Sequence, residues 1–216
     1  MKSEQIQEVA NLLQHKILAN EIATDHYLRQ NELEQLLNVN RFTVRQVLAE
    51  LTGRGVLEHI PYKGHRVRVH SVTERDQITR TRLLLEQGAA ELVMINIDEQ
   101  GLAQLEQYAK AFDAAIECQD TDQQIKSNYL FHSVFYSYCQ NPFMSDLIAE
   151  LREKGIRVSR PGWFNLEASR QASKEHFQMI EALREQDMLG LKSHIYQHLN
   201  AWKRYSKQPQ NNENQT

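Results

Sequence analysis

Apolar residues recur at helical spacing over residues 5–19, where Ile6, Val9, Ala10, Leu12, Leu13, Ile17 and Leu18 form one stripe. The stretch 20–28 is polar and irregular. Asn31 then stands as the cap of a short helix with Leu33, Leu36 and Leu37 on one face. Asn38-Val39-Asn40 breaks that helix. A second one follows from about Arg41 to Leu51, with Val44, Val47, Leu48 and Leu51 inward, and Gly53 and Gly55 end it. Val56–Ile60 and Arg66–His70 read as short strands joined by Pro61-Tyr62-Lys63-Gly64-His65. Val67 and Val69 alternate there with Arg66 and Arg68, the period of a half-buried strand. From Ser71 onward the pattern is helical. Thr73-Glu74-Arg75-Asp76 is a capping signal ahead of a helix running to about Met94. Further helices are predicted at 98–117, 121–140, 143–158, 166–186 and 187–205, with breaks at Asn141-Pro142 and Arg160-Pro161-Gly162-Trp163. The polar tail Gln208–Thr216 reads as disordered.

The pattern predicts a mainly α protein. A winged helix-turn-helix with a small β-hairpin wing occupies 1–70, a linker 71–77, an all-α helical bundle 78–207 and a tail 208–216. Composition narrows the class. With 41% hydrophobic residues the chain can bury a core, and 8 Gly and 4 Pro in 216 residues argue against a loop-rich β-sandwich. No run of about 18 apolar residues exists, so no membrane span is expected. Met1-Lys2-Ser3-Glu4-Gln5 opens an acidic amphipathic segment, not a signal peptide. Cys118 and Cys139 lie at no metal or redox spacing and read as reduced thiols of a cytoplasmic protein.

The formal net charge of −3 is uninformative until it is divided. Residues 1–70 hold 9 Lys+Arg against 8 Asp+Glu, and the remainder 16 against 20. Within 40–70, Arg41, Arg45, Arg54, Lys63, Arg66 and Arg68 face only Glu50 and Glu58, an excess of +4. A basic segment on an acidic chain is the footprint expected where phosphates dock, although solvated helix faces also look this way. Arg41 and Arg45 are four apart, opposite the buried stripe. Either guanidinium can fork onto guanine O6/N7 or clamp a phosphate, as the second helix enters a major groove with its N-terminal residues at base edges. The slender tip Lys63-Gly64-His65 can reach a flanking minor groove. The bland alternative is a helical protein-docking module.

Residues 28–48, LRQNELEQLLNVNRFTVRQVL, resemble without gaps the winged helix-turn-helix pattern of GntR-type transcription regulators. Asn40-Arg41 stands for that family's Ser-Arg pair, and Val44-Arg45-Gln46-Val47-Leu48 for its Val-Arg-Glu-Ala-Leu. Gly53-Arg54-Gly55-Val56-Leu57 and Lys63-Gly64 fit the segment leading into the wing. The resemblance implies that Arg41 and Arg45 touch DNA and that Gly64 lies at the wing tip; Asn40, Thr43, Lys63 and His65 are the further candidate contacts. The usual glycine pair before the first helix appears as Asn20 and Asp25, residue types that tolerate left-handed backbone. Asn31 stands where many members carry a further DNA-contacting arginine, and its amide can still bond a base or phosphate.

Among the nine histidines, His132, His176, His194 and His198 lie beyond residue 130, on three predicted helices. Asn128 and His132 share a face, as do His194 and His198. A metal needs such ligands to converge from facing helices; scattered histidines are otherwise surface or core residues. Phe131, Phe135, Tyr136, Trp163, Phe177, Tyr196 and Trp202 read as bundle core or cavity wall.

Residues 78–207 resemble the FCD-type effector domain of the FadR subfamily of GntR regulators, with a helix count closer to the VanR-like branch. Arg82-Leu83-Leu84-Leu85-Glu86 resembles its Arg-x-x-Leu-Glu opening, and Asn128-Tyr129-Leu130-Phe131-His132 its Asp-x-x-Phe-His. Gln140-Asn141-Pro142, Glu175-His176 and the Asp187…His198 pair match its later motifs. The resemblance implies a divalent transition metal, Zn²⁺ or Ni²⁺, held at Asn128, His132, His176 and His198; Arg82 and His194 are the candidate effector contacts. Asn128 replaces the usual aspartate, and its neutral carbonyl is a poorer ligand. Three arrangements stay open. The metal is kept with an effector carboxylate, or His194 joins as a ligand, or the histidines and Arg82 bind an anion directly.

These readings together imply a ligand-responsive transcription repressor. It binds a palindromic double-stranded DNA operator as a homodimer and answers a small organic acid. A metal-dependent enzyme using the histidine cluster is the competing class. Against it, the chain has no His-Glu-x-x-His, Gly-x-Ser-x-Gly or Gly-rich phosphate loop. A DNA-architectural protein would leave the helical domain without a role.

Overall fold

The computed structural model describes residues 2–19, 21–22, 27–156 and 166–205. They divide into two compact units, one from the described residues of 1–75 with those of 152–158, the other from the rest.

The N-terminal unit contains helices α1 (Lys2–Leu18), α2 (Gln30–Leu37) and α3 (Arg41–Gly53), and a three-stranded antiparallel sheet. Its strands are β1 (Tyr27–Leu28), β2 (Leu57–Ile60) and β3 (Gly64–Val67), in the order β1-β3-β2. β3 pairs Tyr27 with Arg66 on one side and His59 with His65 on the other. Strand β1 corrects the irregular reading of 20–28. Two residues are too few to display a period, and the strand exists because the wing offers an edge to pair with. The core is the predicted stripe: Leu13, Val44, Val47, Leu48, Leu51, Val56, Leu57 and Val67 are buried. Each such aliphatic side chain withdrawn from water contributes about 1.5–3 kcal/mol before entropy is counted.

Local chemistry sets the α2–α3 turn. Asn38 adopts a left-handed φ of 50° and returns its N–H to Glu34 O. Asn40 caps α3, its Oδ1 accepting from Thr43 N–H (2.9 Å) and Thr43 Oγ1 (3.2 Å). Asn31 is not a cap: α2 begins at Gln30 with Arg29 in the cap position, because the chain leaves β1 directly into the helix. At the wing tip, Lys63 N–H donates to Ile60 O (3.1 Å), closing a turn with Pro61 second and Tyr62 third. Tyr62 has φ 66°, as the third residue of a type II turn requires.

The second unit contains most of α4 (Val72–Asn96), with α5 (Glu99–Glu117), α6 (Thr121–Ser137) and α7 (Pro142–Ile156) as far as Leu151. α8 (Leu166–Arg184), α9 (Met188–Asn200) and α10 (Trp202–Tyr205) follow. The α4 capping box is Ser71 with Glu74, not a signal opening at Thr73, and the 71–77 stretch is helical from Val72. Asp98, Asp120 and Asp187 cap α5, α6 and α9. Helices α5, α6, α8 and α9 pack around Leu105, Phe131, Phe135, Met179, Ile180, Leu191 and Ile195. Phe131, Phe135 and Tyr136 are core as expected, and Trp202 is half-buried, its Nε1–H donating to Thr79 Oγ1 (3.1 Å). Tyr196 departs from expectation: it lies on the solvent side of α9, one residue past the inward Ile195. Trp163, the 160–163 break, Asn20, Asp25 and the 208–216 tail lie outside the described residues. No described helix is long and apolar enough to cross a membrane.

Candidate functional site

Two groups of residues carry chemistry, one in each unit. In the N-terminal unit, α3 buries Val44, Val47, Leu48 and Leu51 and turns Arg41, Phe42, Arg45, Gln46 and Ala49 to solvent. Arg41 Nε donates to Gln30 Oε1 (3.2 Å), steadying it at the start of the helix. Arg45 is exposed and has no ion pair among the described residues. Asn31 is exposed on the first turn of α2, whereas Asn40 Oδ1 and the Thr43 hydroxyl are engaged in the cap.

The basic excess read from the sequence is partly neutralised by folding. Arg54 pairs with Glu50 (3.0 Å), Arg66 with Glu58 (2.6 Å) and Arg68 with Glu74 (3.1 Å). Arg54 also donates to Gln14 Oε1 on α1 (3.4 Å), which makes it structural. The cations left for a polyanion are Arg41, Arg45 and Lys63. Lys63 lies at the exposed wing tip with Nζ 5.9 Å from the centre of the Tyr27 ring. Gly64, beside it, has φ 98°. His65 faces His59 across the strands, ring centres 4.9 Å apart. Burial, and then the neighbouring His59, lower its pKa below the ordinary imidazole value, which favours the uncharged ring near neutral pH.

In the helical unit, α6, α8 and α9 bring His132, His176 and His198 together. Their candidate ligand atoms all lie within 4.8 Å of one another, and His132 Nε2 and His176 Nε2 are 3.2 Å apart. Phe131 stacks on His176 with ring centres 4.0 Å apart, and Phe112 flanks it, so packing fixes that imidazole. His198 Nδ1 lies 2.8 Å from Glu175 Oε2. Glu175 is fully buried, and Gln171 donates to its other oxygen (2.9 Å). Burial alone would raise the Glu175 pKa; the hydrogen bond and charge of His198, with Gln171 and Arg204, outweigh it and hold the carboxyl below its ordinary value. An ionised carboxylate only accepts, so it is Nδ1 of His198 that donates to Glu175, and Nε2 is the nitrogen a metal would take.

This donor set fits a transition metal. Nitrogens bound at about 2.1 Å around a tetrahedral ion stand roughly 3.4 Å apart, close to the Nε2 pair seen here. A buried carboxylate behind a ligating imidazole is the usual outer partner of such a site. Asn128 is buried one turn before His132 on α6. His194 is not in the triad: it lies one turn before His198 on α9, its Nδ1 buried without a hydrogen-bond partner among the described residues. Arg82 is held elsewhere. Its Nε donates to Glu86 Oε1 (2.7 Å), and the Tyr136 hydroxyl donates to Oε2 of that buried carboxylate. The Tyr136 ring lies nearly parallel to His132, 6.3 Å away.

Sequence reasoning named Glu175 only as part of a motif and Tyr136 only as core or cavity wall, and assigned neither a partner. A Glu next to His176 was visible, but its partner His198 lies on another helix, 23 residues away, and only packing joins them.

Comparison with known proteins gives a consistent result. The pattern of the family described as "FCD domain" matches residues 77–201, and that of "Bacterial regulatory proteins, gntR family" matches 5–67. The chain is 24% identical over 194 residues to the HTH-type transcriptional regulator YdhC of Bacillus subtilis, covering 88% of this chain and 85% of that protein. It is 23% identical over 193 residues to the HTH-type transcriptional repressor RspR of Escherichia coli, covering 89% and 85%. The solved structure of E. coli McbR/YncC superimposes with a TM-score of 0.77 at 23% identity, over 93% of this chain and 98% of that one, which speaks for the fold.

Proposed function

Since the chain belongs to the GntR family of bacterial regulatory proteins and carries an FCD domain, it is a transcriptional regulator, and we propose that it represses by binding a palindromic DNA operator as a homodimer. The observation that carries this reading is the outward face of α3. Arg41 and Arg45 stand free of acidic partners above a buried stripe, while the other arginines of the segment are paired off. In this arrangement α3 lies in the major groove and reads bases through Arg45. Lys63 at the wing tip meets the adjacent backbone. A two-fold dimer then sets its half-sites about 34–36 Å apart, one turn of duplex. Such a protein works in the cytoplasm, where the operator is.

The helical domain is the sensor. His132, His176 and His198, with Asn128 beside them, would hold Zn²⁺ or Ni²⁺, which supplies a Lewis-acidic anchor for a carboxylate. With no anionic ligand at position 128 that site is more positive than one closed by aspartate, which favours a small organic acid. Arg82 is already paired with Glu86, so the triad is the stronger anion locus. His194, close to the triad along α9, is the remaining candidate effector contact. Effector binding shifts a population of dimers between operator-competent and incompetent states, through α4, the helix that links the units covalently. The domains follow as a DNA-binding module over 1–70 and an effector module over 78–207. The family and its relatives regulate transcription, so an enzymatic role for the histidines is set aside.

The test is operator selection from random duplex DNA with the full chain. Recovery of one inverted-repeat sequence, released by a small carboxylate in the presence of Zn²⁺ or Ni²⁺, is the expected result. Binding that ignores sequence, or a recovered site without two-fold symmetry, overturns the reading.

A further inference from the structure

We propose that Phe42 determines operator sequence by reading the C5-methyl group of a thymine in each half-site. The proposal rests on the DNA-binding reading above. Phe42 is 67% exposed, although the helix that carries it buries its other large apolar side chains, Val44, Val47, Leu48 and Leu51, almost completely. Its exposure is a matter of angle. At 100° per residue, Phe42 shares the outward face with Arg45, Gln46 and Ala49, and it cannot rotate into the core without ejecting Val44. It is also placed at the end that matters. Asn40 fixes the start of α3 through its cap, so Phe42 sits in the first turn, the part of a recognition helix that meets base edges.

The chemistry of the groove then selects one partner. A phenyl ring has no donor or acceptor. Set against guanine O6/N7 or the cytosine amino group, it strips water from a polar edge and returns nothing. The thymine methyl is the one apolar group a base pair presents in the major groove. Arg41 and Arg45 flank the ring, and the outward face bears no acid. That charge suits DNA and disfavours a second basic copy of the same face. Phe42 therefore acts beside Arg45, the arginine fixing a guanine and the ring demanding a neighbouring thymine.

The experiment uses the full chain and the operator recovered by selection. Each thymine is replaced singly by deoxyuridine, which removes only the methyl group. At one thymine per half-site the unaltered protein loses affinity by about fourfold, the equivalent of one methyl group left in water. Phe42→Ser binds that operator more weakly and is indifferent to deoxyuridine at the same position, while Phe42→Leu retains the dependence. Thermal unfolding of both variants matches the unaltered protein, because the residue is at the surface. Indifference of the unaltered protein to every replacement, or equal losses for it and Phe42→Ser, overturns the assignment while leaving DNA binding intact. A protein that selects no sequence overturns the assignment together with the reading beneath it.

Discussion

Glu175 Oε2 accepts from Nδ1 of His198 at 2.8 Å, deep in the helical unit, and this contact decides which imidazole nitrogen is left for a ligand. Replacing the carboxylate with an amide keeps the shape and removes the charge. Glu175→Gln is expected to weaken Zn²⁺ or Ni²⁺ binding by about 10–100-fold, the usual cost of losing an outer-shell partner. Calorimetric titration of the full chain with each metal measures it. Unchanged affinity would take Glu175 out of the site.

Asn128 offers the opposite experiment. Asn128→Asp introduces an anionic oxygen one turn before His132. Divalent-metal affinity is expected to rise, and affinity for a carboxylate at the loaded site to fall, because the added charge lowers the field that attracts the anion. Titration with metal, and then with acetate, reads the two separately. Changes of the same sign in both would show that the side chain does not face the ligand.

In the DNA-binding unit, Arg45→Ala and Lys63→Ala are expected to fail differently. In the proposed complex Arg45 faces base edges, so its loss is expected to cost about 1–3 kcal/mol at the operator and to relax base preference. Lys63, at the wing tip, is assigned there to phosphate. Its loss weakens all sequences alike and reduces the slope of log affinity against log salt by about 1. Binding curves across a salt series separate them. Identical behaviour of the two variants would remove the distinction between reading helix and wing.

What the sequence revealed, and what it concealed, follows from the range of each interaction. The α3 stripe Val44, Val47, Leu48, Leu51 was legible because periodicity is local, and the helices around it fell within a few residues of their predicted bounds. The histidine triad was legible only through motif resemblance, because spacing along the chain cannot say that α6, α8 and α9 converge. Strand β1 was not legible, since its two residues become a strand only by pairing with Arg66 and His65. The Glu86–Tyr136 contact joins residues 50 apart and leaves no local trace. Charge counting misjudged Arg54, Arg66 and Arg68, whose acidic partners were in the sequence but could not be matched to them without the fold. Phe42 falls outside the Val44, Val47, Leu48, Leu51 stripe, and periodicity alone gave it no role.

The start of α4 has its own acid sensitivity, set by Glu74. Its Oε2 accepts from Ser71 N–H (2.8 Å) and Ser71 Oγ (3.1 Å), and its Oε1 from Arg68 (3.1 Å). The backbone hydrogen bond from Ser71, then the Ser71 hydroxyl and Arg68, push the carboxyl down from 4.5 to about 2. A depressed folded-state pKa means that the carboxylate stabilises the cap fully above about 4.5 and loses that effect as pH falls toward about 2. Glu74→Gln keeps an acceptor for Ser71 but cannot pair with Arg68 as a charge. Amide exchange in the first turn of α4 is expected to be slower in the unaltered protein than in Glu74→Gln above that window, with the difference closing through it. Local exchange is the right observable, because a chain of two compact units need not unfold in one step. A difference that stays constant from pH 5 to about 2 would mean that the cap does not depend on the ionised carboxylate.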